Sequence, residues 1–64
     1  MGKFKTFVAY AKTREGKPDI RITSVVEEDP DSARKEIRRQ LQKPGREAYL
    51  NRWIEDGEVI GIVS

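Results

Sequence analysis

The sequence predicts an α+β fold: one small single domain of order β-β-α-α-β, an antiparallel sheet with two short helices packed on one face. Three observations carry this. Residues 3–12 and 19–28 are rich in β-branched and aromatic types around a short polar link, a Pro-initiated segment repeats apolar residues every four positions, and the chain closes on Val59-Ile60-Gly61-Ile62-Val63. At 64 residues the chain makes one domain, able to bury about 60% of its unfolded surface. With 36% hydrophobic residues and no cysteine, one core supplies only about 3–5 kcal/mol, which leaves room for a homodimer.

The hairpin spans residues 3–28. Arg14-Glu15-Gly16 suits a three-residue loop with Gly16 in the left-handed position. Pairing Thr13 with Lys17 then sets Tyr10 opposite Ile20, Val8 opposite Ile22 and Phe4 opposite Val26, which collects the large apolar groups on one face. A two-residue loop would match Ile20 with Ala11 and Ile22 with Ala9, a poorer core. The preferred register leaves Lys5, Phe7, Ala9, Ala11, Arg21, Thr23 and Val25 on the second face. There Phe7, between the cations Lys5 and Arg21, reads as a platform for stacked bases. The plainer reading is the half-solvated side of an ordinary sheet, or a dimer contact.

Asp29 as N-cap with Pro30 at the first helical position starts a helix over residues 30–42. Ala33, Ile37 and Leu41 fall within about 80° of its circumference and form the buried stripe. Lys43 precedes Pro44 and is pushed out of the α region, so the helix stops there. Residues 46–56 read as a second helix, because Tyr49, Leu50, Trp53 and Ile54 gather within about 140° of arc. Asp56-Gly57 as the turn of a hairpin is the competing reading, but it mixes these residues with Asn51, Arg52 and Glu55 on both strand faces. Gly57 then caps the helix, and residues 58–63 form the last strand. Trp53 belongs to the core.

The chain contains no Cys and no His, which removes thiol nucleophiles, imidazole bases and the usual zinc and iron ligands. A non-enzymatic protein without a cofactor or metal is expected. The acidic groups Glu27-Glu28-Asp29 with Asp31, and Glu55-Asp56 with Glu58, lack the ladder of a calcium loop. No run approaches membrane length and the N-terminal residues have no apolar leader, so a cytoplasmic protein is expected.

Charge is banded along the chain. The net charge is +2 and the isoelectric point about 9.2, yet residues 32–46 hold six bases against one acid. These are Arg34, Lys35, Arg38, Arg39, Lys43 and Arg46, against Glu36. Arg34 with Arg38, Lys35 with Arg39, and Arg39 with Lys43 are like-charged i,i+4 pairs, each costing about 0.2–0.5 kcal/mol in an isolated helix. The helix dipole favours Lys43 and Arg46 near the C-terminal end, and Asp31 can pair with Lys35. It does not favour Arg34 and Lys35 in the first half, and the rows Arg34/Arg38 and Lys35/Arg39 that start from them call for an anionic partner.

The run Tyr49-Leu50-Asn51-Arg52-Trp53-Ile54-Glu55-Asp56-Gly57-Glu58-Val59-Ile60-Gly61 resembles the helix-to-wing passage of excisionase-type and related winged helix-turn-helix proteins. There a "Trp-Ile-x-x-Gly" helix end leads into a short strand. The resemblance covers at most residues 33–63 and implies DNA binding. The N-terminal hairpin and the acids Glu47, Glu55, Asp56 and Glu58 depart from that pattern.

The expected function is a nucleic-acid-binding module for DNA or RNA. Arg34, Lys35, Arg38, Arg39, Lys43 and Arg46 would contact phosphates, with Lys5, Phe7 and Arg21 as a secondary surface. The competing class is a small protein-interaction factor, an inhibitor or accessory subunit, whose basic helix or sheet edge docks on an acidic protein.

Overall fold

The computed structural model describes residues 3–12, 15 and 20–63. Strands β1 (Lys5–Ala11) and β2 (Ile20–Glu27) are followed by helices α1 (Pro30–Leu41) and α2 (Glu47–Glu55) and by strand β3 (Ile60–Val63). The strands form one antiparallel sheet in the order β2-β1-β3, so the last strand pairs beside the first. No helix among the described residues is long and apolar enough to cross a membrane.

The hairpin register differs from the expected one. Lys5 pairs with Glu27, Phe7 with Val25 and Ala9 with Thr23, after which Tyr10 pairs with Arg21 and Ala11 with Ile20. Ile22 is in excess, which makes a β-bulge opposite Ala9 and Tyr10. Val8 therefore faces Ser24, not Ile22, and Val26 faces Thr6, not Phe4. Ala11 with Ile20 is the pair of the two-residue-loop alternative. The loop reading itself, with Thr13, Arg14, Gly16 and Lys17, lies outside the described residues.

The larger correction concerns which face the helices cover. The main core cluster is Phe7, Ala9, Val25, Ala33, Ile37, Leu41 and Trp53, with Ile22, Leu50 and Ile60 packed around it; Ala11 is buried on the same face of β1, and Val8 is fully buried on the opposite one, as the sequence leads one to expect. Phe7 is 1% exposed, whereas Phe4, expected inside, is 61% exposed. Ile37, Leu41 and Trp53 supply much of the core's volume from the helix layer, because a close-packed interior is filled from both layers at once. Ile37 from α1 and Trp53 from α2 share this cluster with Phe7 and the small Ala9 of β1. The bulge turns Ile22 into this core.

Helix α1 begins as its sequence dictates. Asp29 is extended, and its carboxylate accepts a hydrogen bond from the Ser32 backbone N–H at 2.7 Å, satisfying one of the free amides of the first turn. That donor, with a lesser contribution from Lys35, holds the Asp29 carboxyl below the usual carboxylate value. Ala33, Ile37 and Leu41 are fully buried, and Thr23 Oγ1 donates to Gln40 Oε1 at 3.1 Å to join β2 to α1.

Helix α2 ends on two consecutive left-handed residues, Gly57 (φ +93°) and Glu58 (φ +56°). Their amides donate to Ile54 O at 3.0 Å and Trp53 O at 2.8 Å, satisfying carbonyls the helix leaves open. Trp53 Nε1 then donates to Val59 O at 3.0 Å, and the Tyr10 amide donates to the same oxygen at 3.0 Å. One carbonyl thus fixes α2 against both β1 and the approach to β3. At the far end of β1, the Lys12 amide donates to Asp56 and Arg52 donates to Lys12 O. Only part of the expected apolar arc of α2 is buried. Trp53 and Leu50 face the sheet, while Tyr49 and Ile54 at the arc's edges are exposed.

Candidate nucleic-acid interface

Burial of the Ala33/Ile37/Leu41 stripe fixes how α1 presents its charges. Residues 30–46 hold six of the 13 bases and two of the 11 acids, leaving seven bases against nine acids in the rest of the chain. The entire positive surplus lies on this helix and the turn that follows it.

Part of that surplus is met within the molecule. Arg34 pairs with Asp31 at 3.4 Å, so Asp31 takes Arg34 rather than Lys35 as its partner. Arg39 reaches both Glu36 oxygens at 3.3 Å, and Arg38 is bound by Glu58 from the loop before β3. The two pairs within the helix are exposed i,i+3 contacts, worth at most about 1 kcal/mol each and exchangeable for a phosphate. The Arg39 side chain remains 79% exposed. Arg38 is more firmly committed, since Glu58 is 19% exposed and holds it from a second element. Among the described residues, Lys35, Lys43 and Arg46 make no ion pair.

The secondary surface falls apart. Phe7 lies in the core and cannot stack a base, which removes the expected platform. Lys5 is exposed at the start of β1, opposite Glu27. Arg21, which donates to Ser24 Oγ at 3.3 Å, instead comes close to Arg46. The two arginines line one hollow of about 350 Å³ with Ile20, Ile22, Leu41 and Tyr49. Tyr49 is 55% exposed, so an accessible aromatic does lie among cations, three residues beyond Arg46 instead of on the sheet. The sequence places Tyr49 in the apolar arc of α2. Its place at the edge of the apolar arc, one turn before Trp53, was the available signal, because a nine-residue helix on a narrow sheet buries only the middle of its apolar side.

No group of three or more acidic residues among the described ones is arranged to hold a metal ion. The passage that resembles a helix-to-wing segment leads into a strand that pairs with β1 in the same sheet as the hairpin. Comparison of the chain with protein-family models, with curated proteins and with solved structures returns no match.

Proposed function

We propose that this protein is a non-enzymatic nucleic-acid-binding module that prefers single strands. Its contact surface runs along the outer side of α1 through Lys35, Arg39 and Lys43, and round the turn to Arg46, Tyr49 and Arg21. The observation that carries the reading is the hollow that Arg21 and Arg46 line together with Tyr49, a residue 55% exposed. Cations on the backbone and an aromatic ring under a base are the two parts of sequence-tolerant single-strand binding. Arg38 is left out because Glu58 holds it from a second element, and Arg34 because its side chain is only 38% exposed, against 79% for Arg39.

The test is fluorescence anisotropy with labelled single-stranded DNA, single-stranded RNA and duplex at several salt concentrations. Four or five phosphate contacts give a slope of log K against log salt of about −3 to −3.5 for single strands. Tyr49→Ala weakens single-strand binding by about 5- to 150-fold, one stacked base being worth about 1–3 kcal/mol, and Lys35→Ala/Lys43→Ala lowers the slope. Binding that is absent, or flat in salt, overturns the proposal. A second reading, docking on an acidic protein, draws on the exposed apolar residues Phe4 and Val26 of the uncovered sheet face. It is favoured if nucleic acid does not bind.

A further inference from the structure

The two outer edges of the sheet are built differently. The β2 edge carries the bulge at Ile22 together with Arg21 and Glu27, the devices by which an edge strand resists pairing with another chain. The β3 edge is Ile60-Gly61-Ile62-Val63, with no charge, no proline and no bulge. In a chain that is 38% charged, this is the edge left open among the described residues.

The ladder tells which groups it offers. Tyr10 N–H donates to Val59 O, and Val8 pairs with Gly61 and Thr6 with Val63, so residues 59, 61 and 63 turn their peptide groups towards β1. Antiparallel pairing alternates strictly, and Ile60 and Ile62 therefore point their N–H and C=O outwards. Their side chains lie on the helix side. Ile60 packs against the core, while Ile62 is 58% exposed beside a hollow of about 320 Å³ that it shares with Phe7, Pro30, Arg34 and Ile60.

We propose that two copies of this chain associate through β3, antiparallel about a twofold axis at Gly61, to form a continuous six-stranded sheet. In this register Ile60 of one copy lies opposite Ile62 of the other, twice. Both outward-facing residues of each strand then exchange hydrogen bonds with their counterparts, four in all. The occupant is a second copy because the edge is its own complement: Ile60-Gly61-Ile62 reads the same in both directions. The axis brings glycine against glycine, at a position kept free of side chain because a Cβ on Gly61 would lie 3.1 Å from the Tyr10 ring. Charge does not oppose the approach. Arg34, which lines the hollow beside Ile62, pairs with Asp31 in its own copy, and Arg38 pairs with Glu58. A seam this short belongs among small interfaces, so the dimer is a weak, concentration-dependent one.

The experiment needs no nucleic acid and so does not depend on the function proposed above. Sedimentation velocity of the full chain from about 10 µM to 1 mM is expected to show a reversible monomer–dimer equilibrium. Ile62→Lys abolishes it without changing the circular dichroism or the melting temperature extrapolated to low concentration, and Val26→Lys, equally exposed but on the other sheet face, leaves it intact. Amide exchange supplies a readout without substitution: Ile60 and Ile62 become protected as concentration rises, and Gly61 does not change. A monomer at every concentration overturns the proposal. So does a dimer that survives Ile62→Lys, one lost in Val26→Lys, or protection at Ile60 and Ile62 that is independent of concentration.

Discussion

Replacing Phe7 and Phe4 in turn by alanine separates the two ways of laying this hairpin under its helices. Phe7 is 1% exposed and touches the cluster built on Ile37, Leu41 and Trp53, whereas Phe4 is 61% exposed at the start of the sheet. Truncating a fully buried Phe removes its transfer free energy and leaves a cavity, together about 3–5 kcal/mol. An exposed apolar residue away from special features is worth within about 0.5 kcal/mol. A domain of this length has roughly 3–10 kcal/mol in total, at about 0.05–0.15 kcal/mol per residue. Phe7→Ala therefore leaves little or no folded protein, and Phe7→Leu, costing up to about 1.5 kcal/mol, is the graded version. The assay is urea denaturation followed by the fluorescence of Trp53, the single tryptophan, which is fully buried when folded. With a urea dependence near the low end for small domains, about 1 kcal/mol per molar, Phe7→Leu lowers the midpoint by up to about 1.5 M and Phe4→Ala by less than about 0.5 M. A larger loss in Phe4→Ala than in Phe7→Leu would refute the placement of the helices on the Phe7 face.

Two further outcomes follow from the ion pairs and the cap. A double-mutant cycle on Arg38→Ala and Glu58→Ala is expected to give a coupling of about 0.5–1 kcal/mol, reduced for the partial exposure of both groups and shrinking as salt is added. A zero coupling at low salt would mean that Arg38 is free to serve the basic surface. For Asp29 the folded-state carboxyl titrates below its ordinary value of 3.8 because it accepts the Ser32 amide. The stability it adds is thus fully present above that value and is lost as pH falls through the lowered one. Asp29→Asn keeps an acceptor for the cap but cannot titrate, so its melting temperature declines less steeply than the parent's between about pH 5 and pH 2. Parallel declines would show that other carboxylates dominate acid unfolding.

The two pairs within α1, Arg34 with Asp31 and Arg39 with Glu36, lie at neighbouring helix positions, although spacing alone pointed to Lys35 as the partner of Asp31. Arg38 with Glu58 is separated by 20 positions, and no helix spacing points to it. Its effect on function is the same in kind: an arginine that looks available in the helix is held by an acid from the next loop. The candidate surface consequently moved from the first half of α1 towards its end. Arg21 belongs with it because it lines one hollow with Arg46 and Tyr49.

The sequence by itself determined the elements, their order and the anchoring of α1. Asp29-Pro30 and the four-residue recurrence of Ala33, Ile37 and Leu41 act within one or two turns of chain, where propensity, capping and periodicity are decided locally. Tertiary structure alone decided the face of the sheet that became the core, the exposure of Tyr49 and the partner of Arg38. Both faces of β1 carry apolar residues, so alternation could not choose between them. The choice was made by fit, since Trp53 and Ile37 share one cluster with Phe7 and Ala9, and the volumes that must match lie far apart in the chain.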